Sequence, residues 1–137
     1  MRVFFDSSAL VKRYIREAGT DEVLACCDRA TEFTVAVIAV PEVVSAFRRF
    51  VREGRISEAQ YAVLKADLGA DIADAELYDT SPQVVQRAVS ALEAHPLRAM
   101  DALHIAAALV GAADVFVSAD ARQCAAAAAL GLEVVQV

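Results

Sequence analysis

The stretch that decides the fold is Arg2-Val3-Phe4-Phe5-Asp6-Ser7-Ser8-Ala9-Leu10, near the start of a 137-residue chain. Residues that favour extended backbone run straight into an acid, and two serines follow where a helix cap is favoured. A short strand, Arg2 to Phe5, therefore turns at Asp6 into a helix capped by Ser7 or Ser8. The pattern recurs downstream. Thr20 to Arg29 reads as a helix, and Phe33 to Val40 is continuous and β-branched, like a strand buried on both faces. Pro41 suits a first helical turn, so Glu42 to Arg52 follows as a helix that Gly54 ends. Ser57-Glu58-Ala59-Gln60 approximates a capping box and opens a helix to about Leu68, leaving two consecutive helices with no strand between them. Asp71 to Leu77 reads as a weak third strand. Ser81-Pro82 caps a helix to about Ala94, broken by Pro96. Ala99 to Val110 is a helix closed by Gly111, Val115 to Val117 a short strand, Asp120 to Ala129 a helix ended by Gly131, and Leu132 to Val137 a terminal strand. Strands alternating with helices predict an α/β chain, a parallel sheet between helical layers joined by right-handed crossovers.

Length and composition agree with that reading. One compact domain, residues 1 to 137, accounts for the whole length, and 58% hydrophobic residues with 5 Gly and 3 Pro supply a core without linkers or disorder. The apolar tracts Val35 to Val40 and Ala125 to Leu130 fall far short of the ~20 residues of a membrane span. Asp6 interrupts any signal-peptide core. Cys26, Cys27 and Cys124 form no C-x-x-C pair and read as apolar fillers in a reducing cytoplasm. The net charge of −6 argues against a nucleic-acid partner in general. Its distribution does not: residues 1–55 hold 9 Lys or Arg against 8 Asp or Glu, whereas residues 56–137 hold 4 against 11.

In a parallel sheet, functional groups gather beyond the carboxyl ends of the strands. Asp6 follows the first strand, Glu42 lies just past the second, Asp120 follows the Val115 strand by three residues, and Asp101 sits in the first turn of an otherwise apolar helix. Any one of these acids suits a helix N-terminus for dipole reasons alone. Four at matching ends of the fold would repel one another unless a cation held them, and hard divalent cations prefer carboxylate oxygens.

Four elements carry a family resemblance: Val3-Phe4-Phe5-Asp6-Ser7-Ser8-Ala9-Leu10, Val40-Pro41-Glu42-Val43-Val44-Ser45-Ala46, Arg98-Ala99-Met100-Asp101-Ala102-Leu103-His104-Ile105-Ala106-Ala107-Ala108, and Val117-Ser118-Ala119-Asp120. In order and spacing they resemble the PIN-domain signature over nearly the whole chain, and the Asp-Ser-Ser-Ala-Leu opening is most similar to VapC toxins. The resemblance implies a three-layer α/β/α fold with a central parallel sheet of about five strands. It implies a Mg²⁺-dependent, or Mn²⁺-dependent, endoribonuclease, the toxin of a VapBC-type toxin–antitoxin pair in the cytoplasm. Asp6 and Asp101 are then the principal metal ligands, Glu42 a further ligand or water-orienting group, and Asp120 the outer fourth acid. Ser7 and Ser118 support the site or cap helices. The products would carry 5′-phosphate and 3′-hydroxyl ends. Implied partners are an RNA substrate, a cognate VapB-type antitoxin and a second copy in a homodimer, with no membrane.

Other features are weighed against plainer roles. Arg48, Arg52 and Arg55, at i, i+4 and i+7, form a stripe for RNA phosphates or an acidic partner, or else a solvated face near Glu53. Arg49 lies off that stripe, and Lys12, Arg13 and Arg16 invite the same two readings. Tyr14 and Tyr61 read as partly buried aromatics rather than base-stacking platforms. His104, three residues after Asp101, reads as a hydrogen-bonded histidine of the helix packing rather than a general base. No glycine-rich phosphate loop is present, so no nucleotide cofactor is expected. Two rival classes are a haloacid-dehalogenase-type phosphatase, which would want an acid where Ser8 stands, or a phospho-receiver domain, which would want paired acids near strand one and a Lys after a late strand, and a catalytically silent PIN-like module binding RNA or protein, which the four retained acids disfavour.

Overall fold

The computed structural model describes residues 1–137. In chain order the elements are β1 (Arg2–Phe5), α1 (Ser7–Tyr14), α2 (Thr20–Arg29), β2 (Glu32–Ala36), α3 (Ala39–Arg52), α4 (Glu58–Asp74), β3 (Glu76–Tyr78), α5 (Pro82–Ala94), α6 (Ala99–Val110), β4 (Val115–Ser118), α7 (Ala121–Ala129) and β5 (Glu133–Gln136). The five strands form one sheet in the order β3-β2-β1-β4-β5, and every neighbouring pair is parallel.

The period-2 alternation of the strands builds two cores. Val3, Phe5, Val35, Val115 and Val117 point into one core with Leu10, Val43, Phe47 and Leu68 of α1, α3 and α4. Phe4, Ala36 and Phe116 point into the other, with Val84 of α5, Ile105 of α6 and Ala126 of α7. Phe4 and Phe116 stack with ring centroids 5.7 Å apart. Small residues let the second layer close tightly: Ala88 and Ala91 of α5 share that core with Ala102, Ala106 and Ala108 of α6, all buried. Each fully buried large side chain contributes roughly 1.5–3 kcal/mol.

Several boundaries differ from the sequence reading. Strand β2 ends at Ala36, so Val37 to Val40 is not strand. Val3 and Phe4 of the short β1 pair with Phe33 and Thr34, and α3 already begins at Ala39, whose burial continues the helical series Ala39, Val43, Phe47, Phe50. Residues 71–74 belong to α4 and not to a third strand, because Leu68 and Ile72 extend its apolar face onto the core. The cap of α1 is Asp6, not Ser7 or Ser8: its carboxylate accepts from the Ala9 N–H at 2.9 Å. The Ser57–Gln60 capping box and the Ser81 cap form as expected.

Strand order reverses at β1, which has β2 on one side and β4 on the other. The crevice beyond the carboxyl ends of β1 and β4 is therefore the topological switch point, where open α/β sheets place their sites.

Candidate active site

Asp6 stands at that crevice. Its backbone N–H donates to the Val117 carbonyl at 3.1 Å, extending the β1–β4 pairing by one bond and fixing the carboxyl group at the sheet edge. The side chain is wholly buried and surrounded by neutral donors. Oδ1 accepts from Ser8 Oγ at 2.7 Å as well as from Ala9 N–H, and Oδ2 accepts from Ser118 Oγ at 2.6 Å and Gln123 Nε2 at 2.9 Å. No Lys, Arg or His forms an ion pair with it. Burial pushes the Asp6 carboxyl above the ordinary aspartate range, and the hydrogen bonds from Ser118, Ala9 and Ser8 only partly oppose this.

Asp101 reaches the same crevice from the first turn of α6. Its Oδ2 accepts from Arg98 N–H at 3.2 Å, a local cap, and its Oδ1 accepts from Gln123 Nε2 at 3.1 Å. One amide nitrogen thus bridges Asp6 and Asp101. Gln123 is 4% exposed and was not visible as a site residue in the sequence, since only the assembled α7 carries it across to two acids that lie 95 residues apart.

Glu42 heads a second group. Its Oε1 accepts from Ser7 Oγ at 2.7 Å and lies 2.6 Å from His104 Nε2. Burial opposes charge on Glu42, yet the bonds from His104 and Ser7 prevail and hold its carboxyl below the ordinary glutamate range. His104 is 2% exposed, packed edge-on to Phe4, with Nδ1 buried and unpartnered. A proton on Nε2 serves the carboxylate, while a bare Nδ1 strands no donor. His104 is the hydrogen-bonded packing histidine expected from sequence, and the group it bonds is one of the candidate acids.

Asp120 takes a different position. Its Oδ1 caps α7, accepting from Arg122 N–H at 2.9 Å and Gln123 N–H at 3.3 Å, and it is linked to the acid pair through Gln123 and, by its own N–H donating to Ser118 Oγ at 3.0 Å, through Ser118. It follows β4 by two residues, not three, because the strand includes Ser118. The four acids do not converge: no group of three or more His, Cys, Asp or Glu side chains is set to hold a metal ion. The donor chemistry nevertheless fits a hard divalent cation. Two carboxylates share one neutral donor, one of them fully buried without an ion-pair partner, and the lone-pair donors beside Asp6 are the hydroxyl oxygens of Ser8 and Ser118.

The cationic side chains beside the acids are not those of the sequence stripe. A cleft of about 360 Å³ is lined by Ser7, Ser8, Glu42, Lys12 and Arg49. Arg48 pairs with Glu58 at 2.7 Å and lies over Tyr61. Arg55 is outside α3, because Gly54 takes φ +72° and turns the chain, and its guanidinium packs 4.0 Å from the Phe50 ring centroid. Arg52 alone of the three stands exposed on α3 without an ion pair. Arg16 pairs with Asp21. All three cysteines are free, Cys26 and Cys124 buried. A separate cavity of about 440 Å³ between α1 and the start of α4 has a lining that is almost wholly apolar, including Tyr14, Ile15, Ile56, Val63 and Leu64, and offers no chemistry of its own.

The PIN domain model matches residues 3–129. The chain belongs to the PIN-domain family. It is 32% identical over 107 residues to Ribonuclease VapC45 of Mycobacterium tuberculosis, covering 78% of this chain and 74% of that one, which places it among the VapC-type ribonucleases. Among solved structures it is similar to Mycobacterium tuberculosis VapC20, a sarcin-ricin loop cleaving toxin, with TM-score 0.71 and 13% identity over 98% of this chain and 99% of that one. It is also similar to VapBC2 from Rickettsia felis bound to a DNA fragment from its promoter, with TM-score 0.69 and 11% identity over 100% and 99%. At such identities these two likenesses report the fold, and the five-stranded parallel sheet of this PIN domain is the fold they share. No helix of this PIN domain is long and apolar enough to cross a membrane.

Proposed function

We propose that residues 1–137 form one PIN domain acting in the cytoplasm as a divalent-metal-dependent endoribonuclease, the toxin of a VapBC-type pair. The observation that carries the site assignment is Asp6, a fully buried carboxylate with no counter-charge, joined to Asp101 by a single amide nitrogen. Such a pair is costly to fold and is explained by a cation that it exists to hold. Asp6 and Asp101 would hold Mg²⁺ or Mn²⁺, with Glu42 and Asp120 at its margins and Ser7 and Ser118 fixing the carboxylates. When bound, the cation offsets the negative charge that builds on the phosphodiester and its attacking water.

The chain's own groups do the rest. Ser7 and His104 both occupy Glu42 Oε1, leaving Oε2 to orient water and accept its proton, a role suited to a carboxylate held ionised. Water oxygen attacks phosphorus as its proton passes to Glu42, the bond to the 3′ oxygen breaks, and that oxygen takes a proton from solvent, so that 5′-phosphate and 3′-hydroxyl ends result. Lys12 and Arg49 line the cleft beside Glu42 and supply the cationic contacts to a neighbouring phosphate.

Two apolar surfaces support the partner assignments. The α1–α4 cavity shares α1 with the acidic cleft, Tyr14 and Ile15 lining one and Val11 and Lys12 the other, so an antitoxin segment anchored in the first would cover the second. Val85, Val89 and Leu92 form an exposed stripe on α5, which we assign to the second copy of a homodimer.

The test is incubation of antitoxin-free protein with total cellular RNA, with and without Mg²⁺ or Mn²⁺, beside Asp6→Asn, with fragment ends mapped by sequencing. Discrete metal-dependent cuts absent in the variant are expected. No cutting by folded, metal-loaded protein would leave a silent binding module as the better reading.

A further inference from the structure

Gln123 is the one residue that hydrogen-bonds to both Asp6 and Asp101, and its geometry has a direction. In the ionised state that a cation requires, the carboxylates can only accept, so the end of the amide facing them is the NH₂ group, which spans 2.9 Å to Asp6 Oδ2 and 3.1 Å to Asp101 Oδ1. The other end, Oε1, is buried and has no hydrogen-bond partner. The amide is therefore held by its nitrogen alone, and letting go breaks two bonds at that end and none at the other. Its backbone is fixed independently, because Asp120 caps α7 and accepts from the Gln123 N–H itself. The side chain can move without its helix moving.

We propose that Gln123 is a neutral clamp standing in for the cation: its NH₂ group holds Asp6 and Asp101 together in the metal-free protein, and a divalent cation binds by displacing it. This rests on the metal-nuclease reading of the site. The clamp lowers the free energy of the empty acid pair and so weakens cation binding by the bonds that the cation must break. Gln123 is in this sense a positioning residue that sets the affinity for the metal, with Asp120 acting through it.

The consequence is opposite to that of an ordinary ligand. Replacing the amide with an apolar side chain of similar length, Gln123→Met, removes the clamp without adding a hard ligand. Titration of chelator-treated protein with Mn²⁺ and Mg²⁺ by calorimetry, with no RNA present, should give binding tighter on the order of tenfold, the worth of about one hydrogen bond to a charged group. Melting curves should show a lower melting temperature for the metal-free variant and a larger upward shift on adding metal than in the unaltered protein. Gln123→Ala, which cannot reach either acid, should tighten binding in the same direction and guards against a packing artefact of the thioether. Equal or weaker binding in both variants would overturn the clamp and mark Gln123 as inert or as a ligand. If the unaltered protein bound neither cation, the metal-nuclease reading would fall and the clamp with it, an outcome distinct from binding that is insensitive to residue 123.

Discussion

Two aspartates at opposite ends of the α1 neighbourhood receive opposite treatment. Asp71 of α4 meets Arg13 through two bonds, Nε at 2.7 Å and Nη2 at 3.1 Å, and accepts from the Tyr14 hydroxyl at 2.7 Å. The Arg13 guanidinium holds its carboxyl below the usual range, against a smaller cost of burial. Asp6 is buried more deeply, has only neutral donors, and is pushed the other way. A carboxylate paired with arginine helps hold the fold together, whereas one buried without a cation costs stability and signals function. The sharpest break of this comparison is Asp6→Asn. A group whose folded pKa is raised contributes stability at low pH, and that stability is lost as pH rises through the folded value. Above that folded value the ionised Asp6 therefore destabilises the metal-free fold. Asp6→Asn should cut RNA on the order of 10²–10³-fold more slowly, the usual loss when a preorganised electrostatic group is removed. In chelator the melting temperature of the unaltered protein should fall relative to that of the variant as pH rises from about 4 through the folded value. A pH-independent offset adds to this, because an amide NH₂ cannot accept from the donors around Asp6. A difference that instead widens in favour of the unaltered protein as pH rises would mean that Asp6 is a structural acid like Asp71.

Asp71→Asn should behave in reverse. Its depressed pKa gives stability that is present above the unfolded value near 4 and lost as pH falls through the folded value. Because the ion pair is partly exposed, the loss at pH 7 is set near the low end for charge-assisted bonds, about 1.5 kcal/mol. Denaturant titrations at pH 7 and in acid would check it: the variant should be weaker at pH 7, with the difference shrinking below pH 4, and RNA cleavage per folded molecule should not change.

The same contrast explains what could be read from the chain. Every element was legible in kind, because most caps and apolar periods are local signals: Ser57 with Gln60, Ser81 with Pro82, Gly111 after Val110. The boundaries between β2 and α3 and between α4 and β3, and the α1 cap at Asp6, were not. Val37 to Val40 misled because β-branched residues favour strands on their own, yet Ala39 belongs to the buried face of α3. Residues 71–74 misled because the helix period through Leu68 and Ile72 outweighs the weak strand propensity there. Asp6, Glu42 and Asp101 stood out as acids after strands or in first turns. Gln123 and Arg49 did not, since a glutamine in an alanine-rich helix and an arginine off the helical stripe acquire meaning only from what other elements bring to them.

Glu42 lies between the two aspartates in character, half-buried yet held ionised by Ser7 and His104. His104→Phe removes one of those bonds while filling the space beside Phe4. It should lower kcat about tenfold, the cost of losing one hydrogen bond to a charged group, with KM little changed. His104→Gln, which can still donate to Oε1, should recover most of the loss. A fall in both variants accompanied by a lower melting temperature would assign His104 to packing alone.

The smallest effect separates the cleft from the stripe. Lys12 and Arg49 line the cavity beside Glu42, though Lys12 also bonds Glu17 and the Ala18 carbonyl and Arg49 lies 3.9 Å from Glu53, whereas Arg48 and Arg55 point away from it to Glu58 and the Phe50 ring. One phosphate contact in a solvent-exposed cleft is worth little, because water and salt screen it. Arg49→Ala should raise KM for RNA about threefold at low salt and reduce the dependence of log KM on log salt by about one. Arg52→Ala, exposed on the same helix but away from that cleft, should do neither. Equal effects from the two would mean that RNA lies along the outer face of α3, and the cationic side chains would then steer substrate generally rather than seat one phosphate beside the acids.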